Sequence, residues 1–161
     1  MCGAHRILPL SKQFLDDAIA LIDTVFPWKL DQKTARRSFR DSLTQPESRQ
    51  QYWLAVDPHG EIAGVTGLYY YHRSKHVVWL GWFGVHPQHR HHGLGSRLLD
   101  FSIAEAIKRG FSILKVYTSF HANERAAHDL YRKYGFVEIA KDKREDEIVF
   151  QKSLCMKGPK V

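Results

Sequence analysis

Several features that mark particular protein classes are scarce or absent in this sequence. Two cysteines occur in 161 residues, Cys2 and Cys155, without a CxxC spacing, which argues against a disulfide framework or a zinc knuckle. The longest uncharged apolar run, residues 77–85, has nine residues, whereas a membrane helix needs about 18 or more. No signal-peptide pattern opens the chain. We therefore expect a cytoplasmic protein with reduced thiols and no membrane segment.

The residues that are present favour one globular domain over residues 1–161. Hydrophobic residues make up 43% and aromatic residues 12% of the chain, which supplies a core and excludes disorder and low complexity. The net charge is +7, which indicates an anionic partner. Residues 88–161 carry 14 basic and 9 acidic side chains, against 10 and 8 in residues 1–87. An anion site is therefore expected in the second half.

Hydrophobic periodicity predicts a mixed α/β domain, because strand-like and helix-like segments alternate along the chain. Ser11 offers an N-cap hydroxyl for the first helix, Pro27 and Pro46 end the first two helices, and Gly110 follows the third. The predicted helices cover the segment after Ser11 and residues 32–43, 93–109 and 123–134. The predicted strands cover residues 5–10, 52–56, 62–71, 77–85, 111–118, 136–140 and 148–154.

A glycine-containing turn between a predicted strand and the long helix is the sharpest local feature. Free N–H groups and the positive end of the helix dipole meet at such a turn and form an anion site. It lacks the GxxxxGK[ST] of a P-loop, and Leu98 stands where GxGxxG requires its third glycine. The turn is formed by Arg90, His91, His92, Gly93, Leu94, Gly95 and Ser96.

The RxxGxG pattern of this turn resembles the GNAT superfamily of N-acetyltransferases when it is combined with the LYRKYGF block at residues 130–136. The resemblance is strong over residues 80–136, and the order of elements fits nearly all of the chain. It implies a GNAT fold: a mixed, mostly antiparallel sheet, splayed between the fourth and fifth strands and flanked by about four helices.

The resemblance also implies an activity, the transfer of an acetyl group from acetyl-coenzyme A to a primary amine by direct attack in a ternary complex. The pyrophosphate of the co-substrate would lie on the amides of residues 90–96. Its pantetheine arm would pair with the strand backbone at Phe83 and Val85. The Val85 N–H would bond to the thioester oxygen and to the oxyanion that forms from it. No metal is expected in this chemistry.

Two further residues match family positions but leave alternatives open. Tyr131 matches the frequent general acid, and a phenol can protonate the departing thiolate; it also lies on an apolar helix face, where its role would be packing alone. Asn123 resembles an asparagine that contacts the co-substrate. The usual spacing from that asparagine to the tyrosine is seven residues, which here places Glu124, so that Asn123 could instead cap the helix.

The general base is not identified by the sequence. Histone-acetylating relatives carry a glutamate on the strand before the turn, where this chain has Trp79, and no carboxylate occurs between Gly64 and Leu99. A distant group, a chain of water molecules or a histidine remain as candidates, the histidines being His72, His76 and His121. The histidines near the turn lack the HExxH spacing of a zinc site, so no metal ligand is expected among them.

The acceptor is predicted to be a small or medium amine that contacts aromatic walls. These walls would come from residues 24–29 and from Tyr69, Tyr70, Tyr71, Trp79 and Trp82. About half of these strand rings should be core, because strand side chains alternate.

Two other classes of function stay open. One is a catalytically silent acyl-coenzyme A sensor. The other is a basic nucleic-acid-binding protein, although the sequence contains no RNP-like or zinc-finger motif. A homodimer is compatible with the sequence.

Overall fold

The computed structural model describes residues 4–45 and 47–154. Cys2, Pro46 and Cys155, on which part of the sequence interpretation rested, lie outside the described residues. The strands are β1 (Arg6–Pro9), β2 (Gln50–Val56), β3 (Ile62–Tyr69), β4 (Val77–Val85), β5 (Ile113–Thr118), β6 (Val137–Asp142) and β7 (Glu147–Ser153). The α-helices are α1 (Leu15–Val25), α2 (Lys29–Thr44), α3 (Leu94–Lys108) and α4 (Arg125–Lys133).

The strands form one sheet in the order β1-β2-β3-β4-β5-β7-β6. All neighbours are antiparallel except β4 and β5, which run parallel. Their pairing extends over four residues, from Val77 opposite Ile113 to Leu80 opposite Val116. Beyond Leu80, in the part of the chain that the structure describes, no strand pairs with β4 on this side. The predicted α/β class, the mostly antiparallel sheet and the splay after the fourth strand are thereby confirmed.

Each face of the sheet is covered by a pair of helices. On one face, α1 and α2 bury Ile22 and Phe39 against Leu54 and Val65 of the central strands. On the other face, α3 and α4 pack against residues such as Val78, which is fully buried. Burial of a large aliphatic or aromatic side chain contributes about 1.5–3 kcal/mol. These two clusters therefore hold helices on both faces of the sheet.

A β-bulge in β4 changes which side chains face which helices. Two residues of β4, Trp82 and Phe83, lie opposite the single residue Thr66 of β3, and Trp82 has a left-handed φ of 45°. Before the bulge, Val78 and Leu80 face α3; after it, Phe83 does, while Trp82 packs toward α1 and α2. An extra residue shifts the two-residue alternation of a strand by one. The sequence pattern did not reveal this shift.

Several predicted boundaries need correction. α2 begins at Lys29 rather than residue 32, because Trp28 already occupies its N-cap. Ser11 precedes a 3-10 turn over Lys12–Phe14, and its hydroxyl makes no capping hydrogen bond. β3 ends at Tyr69, two residues early. The last strand pair is joined by a shorter turn than predicted, since the strands include Asp142 and Glu147.

No helix in the described part of the chain has both the length and the apolar composition that crossing a membrane requires.

Close packing of β2, β3 and β4 makes Gly67 the most constrained glycine. A Cβ at Gly67 would lie 2.2 Å from Cδ1 of Tyr52, a core ring. We expect Gly67→Ala to lower the free energy of unfolding by about 1–3 kcal/mol, because the ring must shift within a close-packed core. Urea denaturation measures this. Gly95→Ala is the control, since its Cβ meets nothing nearer than 3.6 Å; equal losses in both variants would contradict the packing argument.

Candidate active site

The divergence of β4 from β5 leaves a groove along the second half of β4. The N–H of His86 donates to the Ala63 carbonyl of β3 at 2.8 Å. Because neighbouring N–H groups of a strand point to opposite sides, the N–H of Val85 points away from β3, into the groove. The main chain at Phe83 and Val85 borders the groove, and its pairing with a bound molecule stays a prediction.

The turn at residues 90–96 presents a run of free main-chain donors. None of the N–H groups of residues 91–96 bonds to a described backbone or side-chain group, and the first helical bond runs from Arg97 to the Gly93 carbonyl. Gly93 is the N-cap of α3 with φ 80° and ψ 7°, and His91 is left-handed with φ 67°. Left-handed residues in such a turn bring successive N–H groups together in an anion-binding concavity.

The amide turn and the groove are adjacent. A Cβ at Gly95 would lie 3.9 Å from Cγ2 of Val85, and the Arg90 Nε donates to the Val85 carbonyl at 3.0 Å. The hydroxyl of Tyr134 donates to the Ser96 carbonyl at 3.3 Å and ties α4 to the start of α3. An anion on the amides would therefore sit beside the end of β4.

Three basic residues surround the turn. Arg90, His91 and His92 are all exposed, and the Arg90 guanidinium is held at the end of β4 by its bond to Val85. The sequence placed these residues at an anion site, and the structure brings them to the rim of the amide turn. Positive charge there adds to the field of the α3 N-terminus.

Tyr131 lies at the inner wall of the groove. Its side chain is 3% exposed, and its ring packs against those of Phe83, Phe136 and Phe150 at centroid distances of 6.1, 5.5 and 5.7 Å. Burial, and secondarily the charge of Glu124, raises the pKa of Tyr131 above its ordinary value. No described group accepts a hydrogen bond from its hydroxyl. The phenol is thus a protonated donor without an internal partner.

The region before α4 differs from the sequence interpretation. Asn123 does not cap α4: it lies exposed inside a 3-10 turn, Ala122–Glu124, and its N–H donates to Nδ1 of His121 at 3.2 Å. His121 therefore caps this 3-10 turn, and α4 itself begins after Glu124, whose side chain makes no capping hydrogen bond. Glu124 accepts hydrogen bonds from the N–H of Ser119, at 2.7 Å, and from its hydroxyl, and so fixes the chain where β5 leaves the sheet.

Two residues of this region escaped the sequence analysis. Glu124 was seen only as the residue at the family's asparagine spacing, and that spacing was the signal for its position. His128 is 6% exposed, and its Nε2 lies 3.0 Å from the Thr118 hydroxyl. Burial lowers the pKa of His128, so the ring is neutral and anchors α4 to β5. A histidine on a helix surface gives no sequence signal for this.

Aromatic side chains line the opposite mouth of the groove. Trp28, from the connection between α1 and α2, packs edge-on against His121 with ring centroids 4.6 Å apart. Phe26 packs against Trp82 at 5.5 Å. The rings of Tyr69 and Trp79 stack at 6.3 Å. These contacts are separate, and the Tyr69–Trp79 pair lies where β4 is still paired with β5.

The predicted burial of these walls was wrong. None of the five strand rings is fully buried. Tyr70 turns to the other face and packs against Phe111 at 5.4 Å, as alternation requires. Tyr71 is exposed, because β3 has ended before it.

The three candidate histidines differ in position. His72 and His76 precede β4, so the length of that strand, about 3.3 Å per residue, separates them from the groove end at Val85. His121 lies at the groove mouth, but its Nδ1 already accepts the Asn123 N–H. That nitrogen is thus already occupied by a main-chain donor.

Carboxylates occur at the same mouth. Asp31 stands three residues after Trp28, and Glu124 three residues after His121, so each follows an N-cap at a helical start. Burial, and then the charge of Glu124, raises the pKa of Asp31. Two acidic groups thus lie near one another, beside the Trp28–His121 contact.

Comparison with known proteins agrees with this geometry. The family model described as Acetyltransferase (GNAT) family matches residues 15–136. No curated protein sequence matches the chain. Among solved structures, a protein from Desulfovibrio desulfuricans assigned to the GNAT family has a TM-score of 0.86 at 18% identity, covering 94% of this chain and 100% of its own.

Two other solved structures are similar in fold. The ribosomal-protein-S18-alanine N-acetyltransferase from Escherichia coli has a TM-score of 0.72 at 24% identity and covers 98% of both chains. The PaiA N-acetyltransferase from Thermoplasma acidophilum, in complex with coenzyme A, has a TM-score of 0.76 at 17% identity, covering 94% of this chain and 99% of its own. With the family model matching most of its length, the chain belongs to the GNAT acetyltransferase family.

Proposed function

We propose that this protein is an N-acetyltransferase that transfers the acetyl group of acetyl-coenzyme A to a primary amine. One observation carries the proposal: the free amides of residues 91–96 lie beside the open end of β4, where the N–H of Val85 faces the groove. Phosphate-binding amides and an unpaired strand end are what a phosphorylated thioester with an amide-containing arm requires. The GNAT relative in complex with coenzyme A supports the same co-substrate.

The proposed binding mode assigns a role to each part of the groove. The amides from His91 to Ser96 hold the pyrophosphate. Arg90 supplies positive charge beside it, and the rings of His91 and His92 offer further N–H donors. Main-chain groups of Phe83 and Val85 pair with the pantetheine arm as a further strand would. Asn123 is exposed at the far side of the groove, where its amide contacts the same arm.

The proposed reaction is a direct attack in a ternary complex. The neutral amine attacks the thioester carbonyl carbon, and the Val85 N–H stabilises the oxyanion that forms. The carbon–sulfur bond then breaks, and Tyr131 donates its proton to the thiolate of coenzyme A. The cationic amine first loses one proton through water to a carboxylate at the groove mouth, Glu124 or Asp31, and becomes neutral. After the attack, the nitrogen of the tetrahedral intermediate loses a second proton to solvent by the same route. Tyr131 regains a proton from solvent, so the balance closes.

The proposed acceptor is a cationic primary amine of small or medium size. Asp31 and Glu124 bring negative charge to the mouth that the amine enters, and Trp28 offers an aromatic edge and face beside them. Carboxylates favour the approach of a protonated amine, and aromatic faces attract its charge. A neutral, bulky amine gains neither interaction.

The decisive experiment follows the release of coenzyme A thiol. Acetyl-coenzyme A is incubated with the protein and a panel of amines: polyamines, aminoglycosides, lysine-containing peptides and peptides with free N-termini, each paired with a neutral hydroxyl analogue. We expect thiol release with at least one cationic amine and none with the analogues. Tight binding without release on any amine would favour the sensor alternative, and absence of coenzyme A binding would refute the proposal. A salt-dependent shift with DNA would point to nucleic acid instead.

A charge placed in the amide turn tests the pyrophosphate site. Ser96 is the third residue of α3, where a carboxylate favours the helix dipole by up to about 1 kcal/mol. Ser96→Asp should therefore keep or raise the unfolding free energy, yet weaken coenzyme A binding at least tenfold through repulsion of the phosphates. Calorimetric titration measures the affinity.

The matched control is Ser96→Asn, which has the same size without the charge. Coenzyme A affinity of Ser96→Asn should exceed that of Ser96→Asp by at least tenfold at low salt, and the gap should narrow as salt screens the repulsion. Equal affinities of the two variants would place the phosphates elsewhere.

Removal of one hydroxyl tests the general acid. Tyr131→Phe keeps the ring packing, so coenzyme A affinity and stability should stay close to wild type, while kcat falls about 100-fold. Because burial raises the pKa of Tyr131, its proton is retained, and wild-type kcat should show no alkaline loss from this group below about pH 10. Tyr70→Phe, at the other face, is the control. Unchanged kcat in Tyr131→Phe would leave Tyr131 a packing residue.

A further inference from the structure

A second cluster of ionisable side chains lies outside the groove, where the turn between β2 and β3 meets the 3-10 turn Pro87–His89. A carboxylate oxygen of Asp57, one of Glu61 and a ring nitrogen of His89 lie within 4.8 Å of one another. The antiparallel pairing of β3 with β4 brings them together, since the His86 N–H bonds to the Ala63 carbonyl next to this turn. The spacing of histidines along the sequence does not indicate this proximity, because Asp57 and His89 belong to different turns of the chain.

Asp57 is fixed and only partly used by its own turn. It is 7% exposed, and its Oδ1 accepts the N–H groups of His59 and Glu61, both at 2.9 Å. Its Oδ2 bonds to no described residue. The carboxylate is therefore fixed by its own turn through Oδ1, and Oδ2 is left for another partner.

His89 is oriented by a second imidazole. Its Nδ1 lies 3.2 Å from Nε2 of His5, and the two rings meet edge-on with centroids 5.3 Å apart. One of these two ring nitrogens donates the hydrogen bond and the other accepts it, so the contact fixes the orientation of the His89 ring. When Nδ1 of His89 donates this hydrogen bond, Nε2 of His89 keeps the lone pair that a metal ion needs. Such outer hydrogen bonds orient histidine ligands in metal sites.

We propose that Asp57, Glu61 and His89 form a binding site for one divalent first-row transition-metal ion, distinct from the acetyl-transfer groove. One imidazole and two carboxylates suit Zn²⁺ or Co²⁺. Ligand atoms that lie about 2.0–2.2 Å from one ion are about 3–4.2 Å from each other. The three ligand atoms here lie within 4.8 Å of one another, and a small movement of the exposed Glu61 side chain would bring them to that distance. Water would complete the coordination.

The site has a structural consequence for the chain that follows it. Asp57 and Glu61 belong to the turn after β2, whereas His89 directly precedes Arg90 and the amide turn. A bound ion would cross-link these two segments. It acts as a clamp on the loop and takes no part in acetyl transfer.

Titration with Co²⁺ alone tests the site, without coenzyme A or any amine. We expect the wild-type protein to bind one equivalent, with visible absorption characteristic of low-coordinate Co²⁺ and a rise in melting temperature. His89→Asn and Glu61→Gln should each weaken binding at least tenfold and abolish that rise. Asp57 is left intact, because its carboxylate also holds the turn.

The control is His72→Asn, which removes an exposed imidazole that bonds to Arg49 at the other end of β4. This variant should bind Co²⁺ as the wild type does. Absence of saturable binding would overturn the proposal. So would unchanged affinity in His89→Asn or Glu61→Gln, since the ion would then sit on other surface histidines. The outcome is independent of whether the protein transfers acetyl groups.

Discussion

The parallel contact between β4 and β5 stops after four residue pairs, and the rest of the candidate site depends on that. A strand that loses its neighbour keeps polar main-chain groups that must bond to something else. In β4 the unpaired side runs along Phe83 and Val85 and ends where the amide turn begins. The groove thus exists because the pairing of β4 with β5 ends at Leu80, and side chains only form its walls.

Main-chain groups and side chains have different roles in the proposed site. The groups proposed to hold the co-substrate are mostly amides, positioned by the left-handed Gly93 and by the start of α3. In the proposed function, side chains around the Trp28–His121 contact select the acceptor. Relatives in the same fold can therefore share a donor while their acceptors differ, because the two surfaces are built from different parts of the chain.

Local sequence signals were sufficient for the sheet, the long helices and the amide turn, since each depends on periodicity or on a glycine followed by a helix. They failed where long-range contacts decide. Asn123 does not cap α4, because it lies inside a 3-10 turn that the His121 ring caps, although asparagine is the better intrinsic cap. α2 begins at Lys29 because its N-cap is Trp28, whose ring packs on His121. The bulge at Trp82 carries no local signal, since tryptophan is an uncommon residue for a left-handed backbone.

The left-handed backbone at Trp82 connects the segment between α1 and α2 with the groove side of β4. A left-handed φ in a bulky residue costs of order 1–3 kcal/mol, and here it is offset by the packing of Trp82 on Phe26 in the connection between α1 and α2. The next residues along β4 are those whose amides face the groove. Drift in the Phe26 segment under selection for a new acceptor would relax the bulge and misalign those amides. In the proposed acceptor site, the connection between α1 and α2 can therefore vary at its exposed residues, whereas a change at Phe26 would also disturb the backbone of β4.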